Sequence, residues 1–406
     1  MGLDFEDGFE HVGVHPSVRA RLVFSWKGLV FPRSVAPFGL CTTPGEFCNL
    51  VEFLLECLRR YFKGRLEVIN QVDDLSLAFL DPGLTEEEVI EFIESFGWSL
   101  NKKKTQHLSR VPVHIGVEWY LDFALMVLPK PKQEKYRAKV DFFLAKKMTV
   151  PATLKEVESL CGSLQYVAYI DTTQRPHLRI LYKFQAAFKK PGATRKLMEK
   201  EIRCLEHWRR YLSQPTIAAS FKAPPPEADI LIATDASEKG LGILIVPPSS
   251  PPIPSLSLPQ QKLTAAYPLE EGWKKTLGGY IGNAEAWAVE VAVEILILSS
   301  FRNLSILILC DNDNFVKAWA KGWSRNALVN LSILRLSELS CLAGNNIRIE
   351  YIESAKNPAD PVSRFEPVEG ALPFPSTSLP KAPYGTVGGR SPAEQRSYLA
   401  ELVEKE

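Results

Sequence analysis

Two adjacent aspartates, Asp73 and Asp74, stand between two short apolar runs of this 406-residue chain. The runs, 66–72 and 75–80, are rich in branched residues, which predicts a strand–turn–strand hairpin with both carboxylates at its turn. Two like charges at one turn repel each other unless a cation binds there. Mg²⁺ is the simplest candidate, because one or two carboxylates hold it together with substrate phosphates. An acidic turn on an ordinary surface hairpin is the alternative interpretation.

Length and composition limit the class of protein. A chain of 406 residues with 46% hydrophobic content predicts two or three domains. Its seven cysteines are odd in number and lack C-x-x-C spacing, which argues against a disulfide framework and a zinc site and favours a reducing compartment. No secretory leader and no apolar run of membrane length is visible. We therefore expect an intracellular protein, in the cytoplasm, the nucleus or both, with no membrane partner.

Charge is segregated along the chain although the net charge is only +1. Residues 1–100 contain 8 Lys/Arg against 16 Asp/Glu, residues 101–215 contain 23 against 10, and residues 216–406 contain 17 against 21. A basic middle between acidic blocks suits a polyanion bound by the centre, with metal-binding carboxylates at either side. A solvated basic helix face is the plainer alternative for any single lysine cluster.

Composition and periodicity divide the chain into five segments. Residues 1–125 mix short strands with helices, and residues 126–215 are basic and mainly helical. Residues 216–228 include three consecutive prolines and predict a linker, and residues 367–406 predict a flexible tail. Between them, residues 229–366 predict an α/β domain with a mixed five-stranded sheet. The expected fold class is therefore α+β with several domains.

Helical signals are clearest in the first two segments. Apolar residues at helical spacing predict a helix over 47–61. Thr85 and Thr153 each precede a glutamate by three residues, which is the capping-box signature of a helix start. Amphipathic patterns predict further helices over 132–147 and 195–212.

The fourth segment alternates strand and helix patterns. The predicted strands are 230–233, 241–246, 263–267, 305–309 and 347–352, and the predicted helices are 284–298, 315–321 and 328–342. A loop rich in proline and serine, 247–260, interrupts the strands, and a short charged helix, 391–404, is predicted in the tail.

Two further motifs stand upstream of the paired aspartates. Leu3-Asp4-Phe5-Glu6-Asp7-Gly8-Phe9 contains another carboxylate, and Ala36-Pro37-Phe38-Gly39-Leu40-Cys41-Thr42-Thr43-Pro44 lies between it and the hairpin. In this order the motifs resemble the palm of a retroelement reverse transcriptase, and tyrosine-recombinase-type retrotransposons are the most similar group. The resemblance implies a palm in residues 1–125 and a thumb or connection in residues 126–215. It also implies a chain truncated at its N-terminus, with most of the fingers subdomain absent.

The resemblance assigns roles to individual residues of the palm. It implies metal binding and catalysis by Asp4, Asp73 and Asp74, a position near the nucleotide triphosphate for Asp7, and a steric gate against ribonucleotides at Phe9. Phe38 and Gly39 fall in the motif that contacts template and nucleotide, where glycine allows close backbone approach. Phe9 as a core side chain and Asp7 as a turn residue are the structural alternatives.

Three later positions complete the comparison with the palm. Gly97-Trp98-Ser99-Leu100-Asn101-Lys102-Lys103-Lys104 resembles the family's glycine–lysine motif, with Lys104 as the candidate general acid and Lys103 beside the substrate. Gln71 stands where most members carry an aromatic residue, on the primer side of the hairpin. His114-Ile115-Gly116-Val117-Glu118 resembles the primer-gripping hairpin.

Four further acids lie at the ends or starts of predicted elements in the fourth segment. They are Asp235, Glu285, Asp311 and Asp360. Strand ends on one edge of a sheet bring such side chains together, and four acids can hold two metals for in-line attack of water on a phosphodiester. The segment resembles the ribonuclease H domain that follows the polymerase in retroelements. Helix or turn capping by Asp235 and Asp360 is the alternative for each taken alone.

The sequence therefore predicts an RNA-directed DNA polymerase linked to ribonuclease H, encoded by a retrotransposon. The expected cofactor is Mg²⁺, two ions per active site with Mn²⁺ as a substitute, and the expected partners are an RNA template, a DNA primer, their RNA–DNA hybrid and dNTPs. One duplex is expected to lie across the basic middle segment. The alternatives are a polymerase-dead fragment that retains only ribonuclease H activity, and a non-catalytic scaffold that binds nucleic acid. The oligomeric state is not predicted.

Overall fold

The computed structural model describes residues 1–146, 148–190, 192–221, 228–246, 261–269, 273–276 and 280–374. The chain divides into two compact units, Met1–Gln133 with Pro215–Lys222, and Glu134–Gln214 with Ala223–Glu406. Among the described residues, no helix has both the length and the apolar character needed to cross a membrane. The predicted loop 247–260 and the predicted helix 391–404 lie outside the described residues.

The secondary structure alternates throughout both units. Residues 1–127 form β1 (Gly2–Asp4), α1 (Pro16–Arg19), β2 (Val23–Trp26), β3 (Leu29–Pro32), α2 (Thr43–Tyr61), β4 (Leu66–Gln71), β5 (Asp74–Phe79), α3 (Glu86–Ser95), β6 (Val113–His114), β7 (Val117–Tyr120) and β8 (Leu125–Val127). Residues 130–220 form α4 (Lys130–Lys146), β9 (Ala152–Thr153), α5 (Leu154–Ile170), α6 (Arg175–Ala186), β10 (Thr194–Arg195), α7 (Glu199–Leu212) and β11 (Ala218–Ser220). The remainder forms β12 (Ile230–Ala236), β13 (Gly240–Val246), β14 (Lys262–Pro268), α8 (Trp273–Thr276), α9 (Ile281–Leu298), β15 (Ser305–Cys310), α10 (Asp313–Lys321), α11 (Ala327–Ala343), β16 (Asn346–Tyr351), α12 (Asp360–Ser363) and β17 (Ala371–Pro373).

The first unit is built on the predicted hairpin, which is confirmed. Strands β4 and β5 pair antiparallel, and β1 pairs with the other edge of β5 to give a three-stranded sheet in the order β1-β5-β4. The apolar residues of α2 that are spaced by three or four positions are fully buried together with those of α3. This packing helps to stabilise a short sheet, because the helices remove its apolar face from water.

A second sheet in the first unit corrects the predicted linker. It has the order β11-β8-β7-β6, and Ala218–Ser220, inside the range 216–228, pairs antiparallel with β8. Residues 218–220 show no strand pattern in the sequence. They form a strand because they pair with β8. The linker prediction is therefore wrong at residues 218–220.

The second unit contains a six-stranded mixed sheet in the order β16-β15-β12-β13-β14-β17. The predicted count of five is wrong, because Ala371–Pro373 pairs parallel with β14 and adds an edge strand within the range predicted as tail. Phe374, directly after this strand, is buried in the core and helps to hold the segment in place. Helix α9 is mostly apolar and mostly buried, although it contains three glutamates, and it packs on β12 and β13 and against α11.

The capping signals mark the starts of two helices, whereas the amphipathic pattern misplaces the start of a third. Both predicted capping boxes, at Thr85 and Thr153, are formed. The helix predicted over 195–212 begins at Glu199 instead, because Arg195 is paired in β10 and the carboxylate of Glu201 accepts a hydrogen bond from the backbone of Met198 at 3.0 Å. The amphipathic pattern therefore extends upstream of Glu199, the first residue of the helix.

Candidate functional sites

The first group of carboxylates lies where β1 meets β5. Asp4 and Asp74 are direct cross-strand partners, and Asp73 occupies the turn between β4 and β5. Asp4 is only 8% exposed, whereas Asp73 and Asp74 are exposed. Val72, in the same turn, has a φ of +60°, a strained value for a branched residue. The structure therefore brings the three predicted carboxylates together at one end of the sheet, across 70 residues of sequence.

Electrostatic repulsion is present at this end of the sheet. Partial burial raises the pKa of Asp74, and the neighbouring charges of Asp73 and Asp4 raise it further. Lys104 compensates part of this charge, since its Nζ lies 2.9 Å from Oδ2 of Asp4, and this hydrogen bond raises the pKa of Lys104. A cation placed between the carboxylates would relieve the remaining repulsion, so the donor set fits a hard divalent ion.

The residues predicted to bind substrate differ in burial and in their neighbours. Gln71 is the cross-strand partner of Asp74, and it is exposed. Phe9 is half-buried, with ring centroids 5.1 Å from Phe38 and 5.4 Å from Phe47. Phe38 is 79% exposed, and the Gly39 that follows it has a φ of +89°, which favours glycine.

The two remaining predicted substrate residues are exposed. Asp7 precedes a short 3₁₀ turn in a left-handed conformation with a φ of +50°, and its side chain makes no capping hydrogen bond. The side chain of Lys103 makes no ion pair within the described residues, in contrast to the neighbouring Lys104. Both side chains are therefore accessible to a ligand.

Sequence reasoning missed a polar pair at this site. Ser76 Oγ and His114 Nδ1 are 2.6 Å apart, and both residues line a cavity of about 290 Å³ together with Asp4, Asp74 and Lys104. Burial lowers the pKa of His114, while the charge of Asp74 opposes that shift. The available signal was the position of His114 in the motif that resembles a primer grip.

The second group of carboxylates lies at the edge of the six-stranded sheet that is formed by the carboxyl ends of its parallel strands β12 and β15. Strands β12 and β15 are parallel neighbours in which Thr234 is level with Cys310, so Asp235 and Asp311 follow at the same level. Glu285 extends from the first turns of α9, which packs over β12. The carboxyl ends of parallel strands are where ligand-binding side chains converge in such sheets.

Asp360 reaches the same edge because a glycine lets its helix approach. It is the first residue of α12, which packs on β12 and β13. Gly242 of β13 is the cross-strand partner of Asp235, and a Cβ there would lie 2.3 Å from the backbone nitrogen of Ser363 in α12. Sequence reasoning missed this role of Gly242, since a glycine inside a strand signals close backbone approach without naming the approaching element.

The electrostatics of this edge are those of crowded acids. The pKa of Asp235 is raised to about 6 and that of Glu285 to about 7, mainly by burial and in part by the negative charge of the nearby Asp311. The pKa of Asp360 is lowered instead, by its hydrogen bonds to Arg364.

The hydrogen bonds of Asp311 also favour a bound cation at this edge of the sheet. Ser354 donates a hydrogen bond to Oδ2 of Asp311, whereas the buried Oδ1 of Asp311 has no hydrogen-bond partner within the described residues. A buried carboxylate oxygen without a donor, beside three other acids, is the arrangement that a bound cation satisfies. The four side chains thus offer the carboxylate oxygens that hard divalent ions take as ligands.

Comparison with solved structures gives matches to foamy viral protease–reverse transcriptases. One, in complex with an RNA/DNA hybrid, is 16% identical with a TM-score of 0.42 and covers 87% of this chain and 44% of that chain. Two others, in complex with double-stranded DNA, are 17% and 16% identical with TM-scores of 0.42 and 0.41, and cover 56% and 67% of those chains. This chain thus spans about half to two thirds of the length of the structures it matches. No protein-family model and no curated protein matches the chain.

Proposed function

We propose that the chain is an RNA-directed DNA polymerase linked to a ribonuclease H, from a retrotransposon. The observation that supports this proposal is that each compact unit has its own group of carboxylates, drawn together from elements far apart in sequence. Two such groups suit two separate phosphoryl transfers, one that extends a primer and one that cuts RNA in a hybrid.

At the first site, Asp4, Asp73 and Asp74 would hold Mg²⁺. The ions would supply positive charge that stabilises the attacking 3′-hydroxyl oxygen and the leaving pyrophosphate oxygen. Lys104, which pairs with Asp4, would give a proton to the leaving group. Asp7, Phe38, Gly39, Gln71 and Lys103 would contact the incoming nucleotide and the paired strands.

At the second site, Asp235, Glu285, Asp311 and Asp360 would hold the ions. Burial and the charges of Asp311 and Asp235 raise the pKa of Glu285 to about 7, and a bound cation would relieve this repulsion. Ser354 fixes one oxygen of Asp311 and Arg364 fixes Asp360, so these two carboxylates are held in place before a substrate arrives. The reaction would be attack of a water on the RNA phosphodiester.

The nucleic acid would be held by charge rather than by base contacts. The basic residues 101–215 would provide sequence-independent phosphate contacts, and binding should weaken steeply as salt concentration rises.

Ribonuclease H activity without polymerase activity is a second candidate function. The ion pair of Lys104 with Asp4 favours it, because a metal ion at the first site has to displace Lys104.

The test is primer extension on an RNA template labelled at its 5′ end, with Mg²⁺. Wild type is compared with Asp73→Asn/Asp74→Asn, with Asp235→Asn, and with Asp313→Asn, a control at an acid paired with Lys317. We expect primer extension to be lost only in Asp73→Asn/Asp74→Asn. RNA cutting should be lost only in Asp235→Asn. If the wild type cuts RNA without extending the primer, the polymerase function is excluded and only the nuclease function remains. If it binds the duplex without either reaction, the chain is a non-catalytic scaffold.

A further inference from the structure

The β2–β3 hairpin of the first unit is exposed to solvent along both of its strands. Its base is held by backbone hydrogen bonds, from Val14 to Ser34 at 2.8 Å and from Ala36 to Val12 at 2.9 Å. Val12, Val14 and Ala36 are buried in the core of the unit. The base is therefore fixed, whereas the two strands add no buried side chain to that core.

One face of the β2–β3 hairpin has three aromatic rings. Phe24 lies opposite Phe31 on the neighbouring strand, and their rings are stacked with centroids 5.4 Å apart. Trp26 lies opposite Leu29, and it points to the same face as Phe24 because the two are separated by one residue. The exposed fractions are 59% for Trp26, 46% for Phe24 and 37% for Phe31. A contiguous group of large exposed apolar side chains is typical of an interaction surface.

Positive charge is concentrated in the same part of the chain. No Asp or Glu occurs between Glu10 and Glu46. Four of the eight Lys and Arg residues in 1–100 fall within this interval, and they are Arg19, Arg21, Lys27 and Arg33. None of the four makes an ion pair within the described residues, whereas all three arginines of residues 59–65 pair with acids. The β2–β3 hairpin is therefore a positively charged part of an otherwise acidic block.

Two of these cations lie against the aromatic rings. Nζ of Lys27 is 4.3 Å from the ring centre of Trp26, and the guanidinium carbon of Arg33 is 5.4 Å from that of Phe24. Lys27 and Gly28 have φ values of +49° and +79°, as a two-residue hairpin turn requires, so Lys27 lies at the tip. A nucleotide offers a base that stacks on a ring and a phosphate that binds a cation, so rings beside unpaired cations suit it.

We propose that this face of the β2–β3 hairpin binds single-stranded nucleic acid. Bases would stack on Trp26 and Phe24, and phosphates would bind Lys27 and Arg33. A single strand fits better than a duplex, because aromatic side chains stack on bases that are not already paired and stacked. RNA and DNA share this chemistry, since every base has a face that stacks. The inference rests on the proposed function for the class of partner, and it requires neither group of carboxylates.

A second copy of the chain is the competing occupant. Val23 and Val30 are exposed on the opposite face of the β2–β3 hairpin, so apolar surface is present on both faces. However, a symmetric contact between two copies would bring two sets of four cations together, with no acid between Glu10 and Glu46 to compensate them. The charge therefore favours a polyanion over a second copy.

The test is fluorescence anisotropy of the full chain with labelled oligothymidine, without Mg²⁺ so that neither proposed reaction takes place. Oligouridine replaces it in a second series, to compare RNA with DNA. An abasic oligonucleotide of equal length has the same charge but no bases to stack. Excess unlabelled duplex is present throughout, to occupy the basic residues 101–215.

The variants separate stacking from charge. Trp26→Ala and Phe24→Ala remove a ring, and Trp26→Tyr replaces one ring by another. Phe53→Ala, at an exposed ring of α2, is the control for ring removal. Lys27→Gln removes the charge at the tip, and Lys63→Gln, at an exposed lysine outside the interval without acids, is its control.

We expect Trp26→Ala and Phe24→Ala to weaken oligothymidine binding at least about fivefold, as loss of one stacked base does. Trp26→Tyr should retain binding, and the ring variants should bind the abasic oligonucleotide as the wild type does. Lys27→Gln should weaken both probes and reduce the slope of log affinity against log salt by about 0.7, the value for one phosphate contact of a single strand. Both controls should match the wild type.

The contact can also be located directly. An oligonucleotide with 5-iodouracil cross-links on irradiation to rings that stack on it. Trypsin cuts after Arg21, Lys27 and Arg33, so the cross-link should appear on the peptides 22–27 or 28–33.

Three results would overturn the proposal. The first is wild-type binding of oligothymidine by the ring variants, with no cross-link in residues 22–33. The second is equal weakening of the abasic oligonucleotide by the ring variants, which would remove stacking from the argument. The third is a dimer, or binding to phosphatidylserine vesicles, that Trp26→Ala abolishes while oligonucleotide binding is unchanged. Absence of primer extension would leave these binding results standing, so failure of the proposed function and failure of this inference are distinguishable.

Discussion

Gly242 and Ser363 lie in such close contact that no other residue fits at position 242. A Cβ on Gly242 would be 2.3 Å from the backbone nitrogen of Ser363 and 2.7 Å from the carbonyl oxygen of Ala359. Both clashes are with backbone, which cannot move aside as a flexible side chain can. The contact places α12 on the sheet, and α12 begins with Asp360.

We therefore expect Gly242→Ala to displace α12 and to reduce RNA cutting while leaving primer extension unchanged. The free energy of unfolding should fall by about 1–3 kcal/mol, the usual cost of overpacking. Gly162→Ala is the matched control, because it adds a methyl group on an exposed face of α5 with no atom within 4 Å. That control should gain about 0.5–1 kcal/mol. Chemical denaturation of both variants is the measurement, and equal stability would contradict the steric argument.

The pKa of Asp235 predicts how stability depends on pH. Its carboxyl has a pKa of about 6 in the folded chain against an ordinary value of 3.8. The folded state therefore binds the proton more tightly, so the contribution to stability is complete below about pH 4 and is lost as the pH rises to about 6.

Asp235→Asn should accordingly raise the free energy of unfolding at pH 8 without metal, by on the order of 2 kcal/mol, and give no gain at pH 4. Thermal unfolding at the two pH values measures this. Asp360→Asn is the control of opposite sign, because Arg364 lowers the pKa of Asp360 and its removal should not stabilise the chain. Added Mg²⁺ should stabilise the wild type more than Asp235→Asn, and the reverse order would contradict metal binding there.

Lys104 competes with any cation for Asp4. Lys104→Gln should lower the Mg²⁺ concentration that half-saturates primer extension, by up to about fivefold, because it removes the ammonium group that competes with the cation for Asp4. The maximal rate should fall about 100-fold if Lys104 donates the proton. Lys103→Gln is the adjacent control and should retain the wild-type Mg²⁺ dependence. Identical Mg²⁺ titrations of the two variants would exclude the competition.

Phe9 is held in place by its contacts with Phe38 and Phe47. If its ring is the steric gate, Phe9→Val should raise the ratio of ribonucleotide to deoxyribonucleotide incorporation by at least about tenfold, while Phe9→Tyr should preserve it. Single-nucleotide extension with each substrate measures the ratio. Phe123→Val, at an exposed ring of the same unit, is the control for the same substitution at another position. An unchanged ratio in Phe9→Val would leave Phe9 as a packing residue alone.

Much of the first site was predictable because its elements have strong local patterns. The hairpin carrying Asp73 and Asp74 follows from two apolar runs on either side of an acidic turn. Its neighbours were not predictable in the same way. Ser76 and His114 are 38 residues apart, and their contact depends on how two separate sheets of the first unit are arranged.

The second site shows the same limit. Asp235 and Asp311 could be predicted to share an edge, since both end apolar runs of strand length. That Ser354 donates to Asp311, or that Gly242 makes room for α12, required knowing which element packs against which. The edge strand β17 was missed because its three residues have no alternation of their own.

The sequence by itself determined the local elements: the hairpin β4–β5, the starts of α3 and α5 at their capping boxes, and the apolar strands β12, β13 and β15. Their signals come from residues that lie close together in the chain, so they can be read from the order of the residues. Tertiary structure alone decided the pairing of Asp4 with Asp74, the ion pair of Lys104 with Asp4 and the contact of Ser76 with His114. Such contacts depend on burial and steric fit between segments that lie far apart in the chain, as Asp4 and Lys104 do. No local periodicity specifies them.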